Sequence, residues 1–207
     1  MTFIEQVEDL IGDQASELDD AILQYLTDSA REVQSALPPR LKMRYGSENV
    51  LNNADGFNIE DKEVVNIELD GRSVSEVPLG SKAEVEDTNS LNFATSRTPV
   101  YYMQGTKVMI KPDPTVSAPA RLYTISYPTV SSSDTTISNM PSTAYYAVVL
   151  GAAIKFLQNV LNTQVQTDED VELAQGTTLQ IQSLTPLYAQ ELQRLGALIW
   201  HNNNYMN

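Results

Sequence analysis

The sequence predicts an α+β protein in which helices from both ends of the chain form a bundle and an antiparallel β-domain is inserted between them. Apolar residues recur every three or four positions near both termini, and they alternate with polar residues in the middle of the chain. A long apolar stretch at 141–162 supplies the centre of the bundle. We expect the bundle to comprise residues 1–45 and 139–207. The β-domain, a sandwich or barrel-like unit, is expected at 46–138.

The stretch at 141–162 is predicted to be a buried core helix. Only one charged residue, Lys155, interrupts positions 144–157, and a helix that is apolar almost all round packs inside a protein. The run is shorter than the roughly 20 apolar residues that a membrane span needs, so no transmembrane segment is expected. Ser142 or Thr143 is expected to cap the helix with its side-chain oxygen.

Two amphipathic helices are predicted at the N-terminus. Thr2 and Glu5 have the spacing of a capping box, and Gly12 is a natural stop for the first helix. The second helix is expected from about residue 16 to residue 37, where two prolines end it. Its acidic residues are expected to form a solvated face: Asp19, Asp20, Asp28 and Glu32.

The middle of the chain carries strand signals. Alternating apolar residues flank the pair Asp70-Gly71, which is the strongest short hairpin signal that a sequence offers. A second hairpin is expected at 99–111 and a further strand at 121–127, together forming an antiparallel meander. Four tyrosines lie on these strands: Tyr101, Tyr102, Tyr123 and Tyr127. They either bind a carbohydrate or a protein partner or pack across neighbouring strands, and we favour packing.

Two other features of this region bear on partners. Arg40, Lys42 and Arg44 form a tight basic cluster. It is either a surface turn, which we favour, or a contact to an acidic neighbouring subunit or to the DNA backbone. Residues 81–98 are predicted to be a long polar loop, and loops of this length usually bind something or are mobile.

Two helices are predicted after the core helix. Acidic residues at 168–170 mark the start of the first one, which the glycine and threonines at 176–178 weaken. Thr185 is expected to cap the last helix, with Pro186 at its first position. Its buried stripe is predicted to be Leu187, Tyr188, Leu192, Leu195, Leu198 and Ile199. The polar tail at 200–207 is expected to become ordered against a partner.

Composition limits the classes of function. The chain has 13 basic and 27 acidic residues, a net charge of -14. This charge argues against a sequence-reading nucleic-acid binder, which needs a basic face, and against an anionic membrane surface as a partner. An acidic surface still allows DNA to pass without being held. The chain has no cysteine, which excludes disulfides, thiolate metal sites and cysteine nucleophiles.

No catalytic, cofactor-binding or metal-ligating residues are predicted. The sequence has no Gly-rich phosphate loop, no zinc-ligand spacing and no nucleophile elbow. The single histidine, His201, lies near the C-terminus, which disfavours a Ser-His-Asp arrangement. The consecutive acids at 168–170 point around a helix and lack the ligand spacing of a metal loop. We therefore expect no enzymatic activity and no cofactor.

The succession of elements can be read from short motifs along nearly the whole chain. A first short helix is followed by a second containing Leu26-Thr27-Asp28-Ser29-Ala30-Arg31-Glu32-Val33 and ending at Leu37-Pro38, by the hairpin Pro99-Val100-Tyr101-Tyr102 to Val108-Met109-Ile110-Lys111-Pro112, by a strand ending Ile125-Ser126-Tyr127, and by an Ala-rich apolar helix after Pro141. In layout this succession resembles the head-to-tail adaptor (connector) proteins of tailed bacteriophages.

The resemblance implies a helical bundle with an inserted β-region and no catalysis. It further implies a homo-oligomeric, dodecameric ring below the portal protein, which extends the DNA channel and provides a platform for a tail or nozzle protein. DNA would pass without sequence-specific binding, and no membrane is involved. The implied location is the head-tail interface of the virion, after assembly in the host cytoplasm.

Contacts with partners are expected from the residues themselves. We expect the polar, aromatic tail to contact the portal through Trp200, His201, Asn204, Tyr205 and Met206. The loop at 81–98 is expected to contact a neighbouring subunit or a tail protein. Two alternatives stay open. One is another virion component, such as a tail-tube or tail-completion protein. The other is a carbohydrate-binding β-module that uses Tyr101 and Tyr102.

Overall fold

A computed structural model describes residues 1–12, 19–167 and 171–203 and divides the chain into two compact units. The helical unit comprises Met1–Pro38 and Pro128–Asn207, and the β-unit comprises Pro39–Tyr127. The described helices are α1 (Phe3–Ile11), α2 (Asp19–Ala36), α3 (Pro39–Tyr45), α4 (Lys82–Glu86), α5 (Tyr145–Thr167) and α6 (Val171–Asn203). The described strands are β1 (Ser47–Leu51), β2 (Phe57–Asn58), β3 (Lys62–Leu69), β4 (Arg72–Ser73), β5 (Ser75–Glu76), β6 (Val100–Gln104), β7 (Lys107–Lys111) and β8 (Ala120–Ser126). The predicted α+β class is confirmed.

Helix α1 is fixed by its own sequence at both ends. The Glu5 amide donates to the Thr2 hydroxyl at 3.3 Å, and the Thr2 amide donates to the Glu5 carboxylate at 2.6 Å. Gly12 ends the helix with a φ of 73°, which favours glycine. The predicted capping box and stop are therefore confirmed. The predicted start of the second helix, near residue 16, lies outside the described residues.

Helix α5 is the core of the helical unit, as predicted. It packs against α1, α2 and α6. The ring of Phe3 on α1 meets the ring of Tyr145 edge-on at 5.3 Å. The buried residues run through the helix: Ala147, Val148, Val149, Leu150, Ala152, Ala153, Ile154, Phe156 and Leu157.

Two expectations about α5 are wrong. Ser142 and Thr143 lie inside a 3₁₀ turn that leads into the helix, and its N-cap is Pro141, which offers no side-chain cap. The helix also begins later and ends later than the expected 141–162, at Tyr145 and Thr167. Within the described residues, Ser142–Thr163 alone is long and apolar enough to cross a membrane by length and composition. Because 61% of its apolar window is buried inside the protein, its burial is that of a core helix.

Helix α6 is one helix, where two were expected. The hydroxyls of Thr177 and Thr185 donate back to carbonyl oxygens four residues earlier, at 3.0 and 2.8 Å, so Thr185 is not a cap. Pro186 lies inside the helix, which packs along α5. The fixed φ of Pro186 suits a helix, and packing against α5 outweighs the loss of the hydrogen bond that its missing amide would donate. In the expected stripe Leu195 is buried, but Leu187 is 42% exposed.

The β-unit contains two four-stranded sheets. Their strand orders are β1-β8-β3-β4 and β2-β7-β6-β5, and all pairs are antiparallel except β5 with β6. The hairpins at Asp70-Gly71 and at 104–107 and the strand at 121–126 are confirmed. The expected meander is wrong, because β8 lies between β1 and β3. Side chains from both sheets share one core: Leu51, Ile67, Leu69, Val74, Val108, Ile110, Ala120 and Leu122.

The basic cluster at 40–44 forms helix α3 rather than a surface turn. Helix α3 packs against β3 and β8, and Lys42 is buried there with its Nζ 2.6 Å from Glu63 Oε1. The surface interpretation is therefore wrong for Lys42, because a carboxylate on β3 draws the ammonium inward. Arg44 lies over the Tyr45 ring at 6.0 Å.

Candidate partner-binding surface

Residues 79–98, called here the 79–98 segment, form the candidate binding surface of the β-unit. The expectation of a plain loop is wrong, since the segment begins with a 3₁₀ turn and the short helix α4. Side chains then close two turns: Asp87 accepts from the Asn89 amide at 2.9 Å, and Ser90 accepts from the Asn92 amide at 3.1 Å. Such local bonds define the path of the backbone without regular secondary structure.

The segment is held to the sheet by a small apolar core. Val85 and Ala94 are buried, and the Ala94 amide donates to the Val85 carbonyl at 3.0 Å. Both residues pack with Tyr102 of β6, which is 1% exposed. Helix α4 and the later part of the segment are thus joined over β6, an inner strand of its sheet.

A polar cluster adds a second anchor. The Tyr102 hydroxyl donates to Glu86 Oε1 at 2.7 Å, and Lys111 Nζ lies 3.4 Å from the same oxygen and 2.8 Å from Asp113 Oδ1. The hydrogen bond from Tyr102 lowers the pKa of Glu86, and the charge of Lys111 lowers it further. Burial, followed by the bond to Glu86, raises the pKa of Tyr102. Glu86 is therefore held as a carboxylate.

The segment presents apolar surface to its surroundings. A cleft of about 430 Å³ is lined by five apolar side chains, Val77, Val85, Leu91, Phe93 and Val100, and by four polar ones, Ser81, Glu84, Asn92 and Thr98. Leu91 is 105% exposed, and no apolar neighbour covers it among the described residues. A rigid frame that carries an uncovered leucine beside an apolar cleft suits contact with an apolar side chain of a protein partner.

The tyrosines do not form a platform. Tyr102 is buried, and its neighbour Tyr101 donates to Glu76 at 3.1 Å from the other side of the strand. Burial and this bond raise the pKa of Tyr101 to about 12. Tyr123 belongs to the other sheet. The packing interpretation of Tyr101 and Tyr102 is therefore confirmed.

The predicted tail residues are only partly described. Trp200 and His201 lie on α6, which continues to Asn203. Asn204, Tyr205 and Met206 lie outside the described residues. Their contact with a portal stays a prediction.

The described residues offer no metal site. Across 1–12, 19–167 and 171–203, no group of three or more His, Cys, Asp or Glu side chains could hold an ion. The acids at 168–170, which were considered as ligands, lie outside these ranges.

Comparison with protein families gives a match over most of the chain. The model of the SU10 adaptor protein family matches residues 2–197, and so spans both units. No curated protein matches the chain. The family match confirms the resemblance to phage adaptors that the order of elements indicates. The chain therefore belongs to the SU10 adaptor protein family, a family of phage adaptor proteins.

Proposed function

We propose that the protein is a structural head-to-tail adaptor of a tailed phage. Copies form a homo-oligomeric, dodecameric ring below the portal protein, extend the DNA channel and provide the platform on which a tail or nozzle protein sits. The observation that carries this proposal is the adaptor-family match over residues 2–197, which covers both the helical unit and the β-unit.

The chemistry of the chain supports a structural role. Its net charge of -14 suits a wall along which DNA passes without sequence-specific binding. The uncovered Leu91 and the apolar cleft beside it suit contact with protein. We propose that the protein has no enzymatic activity and no cofactor, and that it resides at the head-tail interface of the virion after assembly in the host cytoplasm.

Two surfaces receive separate roles in this proposal. The C-terminal tail contacts the portal through Trp200, His201, Asn204, Tyr205 and Met206. The 79–98 segment contacts a tail protein or the neighbouring subunit. The tail offers polar and aromatic groups, which are common in interfaces, and the segment offers an apolar cleft on a rigid frame.

Quantitative mass spectrometry of purified particles tests the proposal. The copy number of this protein is compared with that of the portal protein in the same particles. A ratio of adaptor copies to portal copies near one is expected for a connector ring with as many subunits as the portal. A ratio many times higher would instead indicate a tail-tube or capsid protein, and absence from the particle would overturn the proposal. A carbohydrate-binding module gains no support, because Tyr102 is buried and Tyr101 is hydrogen-bonded.

A further inference from the structure

We infer that Arg72 and Arg97 of the β-unit dock against the acidic outer face of helix α2 in a neighbouring copy. The inference rests on the proposed function, because it needs copies that meet side by side. It names the side chains of that contact, which the family match leaves undefined.

The first step is the division of charge between the two units. The β-unit, Pro39–Tyr127, holds ten of the 13 basic residues and 12 of the 27 acidic ones, a net charge of -2. The remaining residues hold three basic and 15 acidic residues, a net charge of -12. Most cations thus lie in the β-unit and most of the excess carboxylates lie in the helical unit, so ion pairs between copies form most readily where the β-unit of one copy meets the helical unit of the other.

The second step is the position of the two arginines. Strands β5 and β6 are parallel, with Ser75 opposite Val100. Arg72 lies three residues before Ser75, and Arg97 lies three residues before Val100. Because the two strands run in the same direction, Arg97 and Arg72, the latter on β4 of the other sheet, both lie before the same end of the β5–β6 pair.

Arg97 stands in a tight turn, and Arg72 begins β4 directly after one. Arg97 lies between Thr95 and Thr98, whose hydroxyl oxygens are 2.9 Å apart and whose backbones form an isolated bridge. Arg72 directly follows Asp70 and Gly71, which have φ values of 51° and 73°. A fixed backbone lowers the ordering cost of binding.

The third step is the lack of internal partners. Arg72 and Arg97 are exposed, and within the described part of the chain neither side chain has an ion pair or hydrogen bond. By contrast, Arg121 of the same unit lies 2.7 Å from Glu48. A free guanidinium group pairs well with a carboxylate, because its planar donors match the two oxygens.

The acidic partner is the face of α2 that points away from its core. Ile22, Leu26 and Val33 are fully buried on one side of the helix. Asp20, which is exposed, and Asp28, which is half-buried, lie toward the opposite side, two turns or about 12 Å apart along the axis, and the exposed Arg31 lies on that side as well. Within the described residues neither carboxylate has an ion pair, whereas Glu32 is already 2.7 Å from Lys155. Two free carboxylates thus complement two free guanidinium groups.

Cross-linking tests the contact directly, since the chain has no cysteine of its own. One population carries Ser96→Cys and another carries Gln24→Cys. Both positions are exposed, beside Arg97 and between Asp20 and Asp28, so the four charges remain. The two populations are mixed on the phage's own portal protein and oxidised. A disulfide-linked heterodimer is expected. Thr106→Cys, at the far end of β6, replaces Ser96→Cys as the control and should give none.

Charge reversal then identifies the arginines. Adding Arg72→Glu and Arg97→Glu to the Ser96→Cys chain should lower the heterodimer yield by about tenfold or more, because carboxylates would face carboxylates. Asp20→Lys with Asp28→Lys in the Gln24→Cys chain should restore it. Lys107→Glu is matched to Arg97→Glu in charge. Lys107 begins β7 beside the opposite end of β6, so this variant should leave the yield unchanged.

The copy number bound per portal is measured in the same samples. Wild-type chain that fails to bind the portal would overturn the proposed function itself. If the Ser96→Cys and Gln24→Cys chains bind the portal as a ring but form no cross-linked heterodimer, or if its yield does not change with the arginine reversals, only this inference would be overturned. DNA that is recovered with wild-type rings is measured as well. If the arginine reversals remove this DNA and the lysine substitutions do not restore it, the arginines would be assigned to DNA instead.

Discussion

Gly151 of α5 lies directly against Ser29 of α2, whose hydroxyl donates to the Val148 carbonyl at 2.9 Å. A Cβ atom at residue 151 would overlap the Ser29 hydroxyl oxygen and would lie 3.2 Å from the Tyr188 ring. The glycine therefore allows α2 to approach the core helix closely enough for a side chain to bond its backbone.

Gly151→Ala is expected to lower the free energy of unfolding by about 1–3 kcal/mol, because the added methyl group must displace Ser29 or separate the helices. Urea denaturation measures the change. Gly176→Ala is the matched control, since no atom lies within 4 Å of its added Cβ. It should stabilise by up to about 1 kcal/mol, because alanine favours helix. Destabilisation of the same size in both variants would contradict the close contact at Gly151.

The ion pair between Lys42 and Glu63 makes a second prediction. The Lys42 side chain is 8% exposed, and Lys42→Met leaves the Glu63 carboxylate partly buried without its cation. We expect a loss of about 2–3 kcal/mol in unfolding free energy, less than for a fully buried pair because Glu63 is 30% exposed.

The control for Lys42 is Arg121→Met, which removes an exposed pair with Glu48 and should cost less than about 1 kcal/mol. Equal losses in the two variants would show that the burial of Lys42 does not strengthen its pair. The double variant Lys42→Met with Glu63→Gln should recover part of the loss, since no carboxylate is left unpaired.

The bond between Tyr102 and Glu86 predicts a pH-dependent effect. The pKa of Glu86 is lowered from 4.5, first by Tyr102, so the ionised carboxylate stabilises the fold above that pH. This contribution is lost as the pH falls through the lowered pKa of the folded protein. Tyr102→Phe should therefore cost about 1 kcal/mol near pH 7 and less near pH 3. Urea unfolding at both pH values measures it, and a cost independent of pH would exclude the carboxylate as the partner.

Local signals explain the parts of the fold that the sequence predicts. The capping box of Thr2 and the glycine at 12 need only neighbouring residues, as does the Asp70-Gly71 turn. The apolar run of α5 is long enough to identify the core without knowledge of its partners. The order of elements also sufficed to indicate the adaptor family, because it depends on succession rather than on contacts.

Contacts between distant residues explain what the sequence did not predict. Lys42 is buried because Glu63, on another element, neutralises it. Helix α6 continues through Pro186 because packing on α5 outweighs a local breaker signal. The 79–98 segment looks polar and loop-like, and its frame depends on Val85 and Ala94 meeting Tyr102. The apolar residues Val85 and Phe93 within this polar run were the sequence signal from which its small core could have been predicted.

The uncovered leucine of the 79–98 segment predicts an effect on assembly rather than on folding. Leu91→Asp should reduce incorporation into particles, because a carboxylate would be buried in an apolar contact. The thermal unfolding midpoint should stay unchanged, since the side chain is fully exposed. Particle mass spectrometry measures incorporation. Val116→Asp, at another exposed apolar residue of the β-unit, is the control, and equal loss in both variants would remove the special role of the segment.

Removal of residues 200–207 tests the proposed portal contact of the tail. The tail is proposed to serve a partner, so we expect the fold to lose little stability without it. Binding to purified portal protein should fall by about tenfold or more, since aromatic side chains dominate interfaces. Asn202→Ala with Asn203→Ala keeps Trp200, Tyr205 and Met206 and serves as the control. A truncated chain that binds the portal as well as the control would place the contact elsewhere, whereas a large drop in unfolding temperature would make the tail part of the fold.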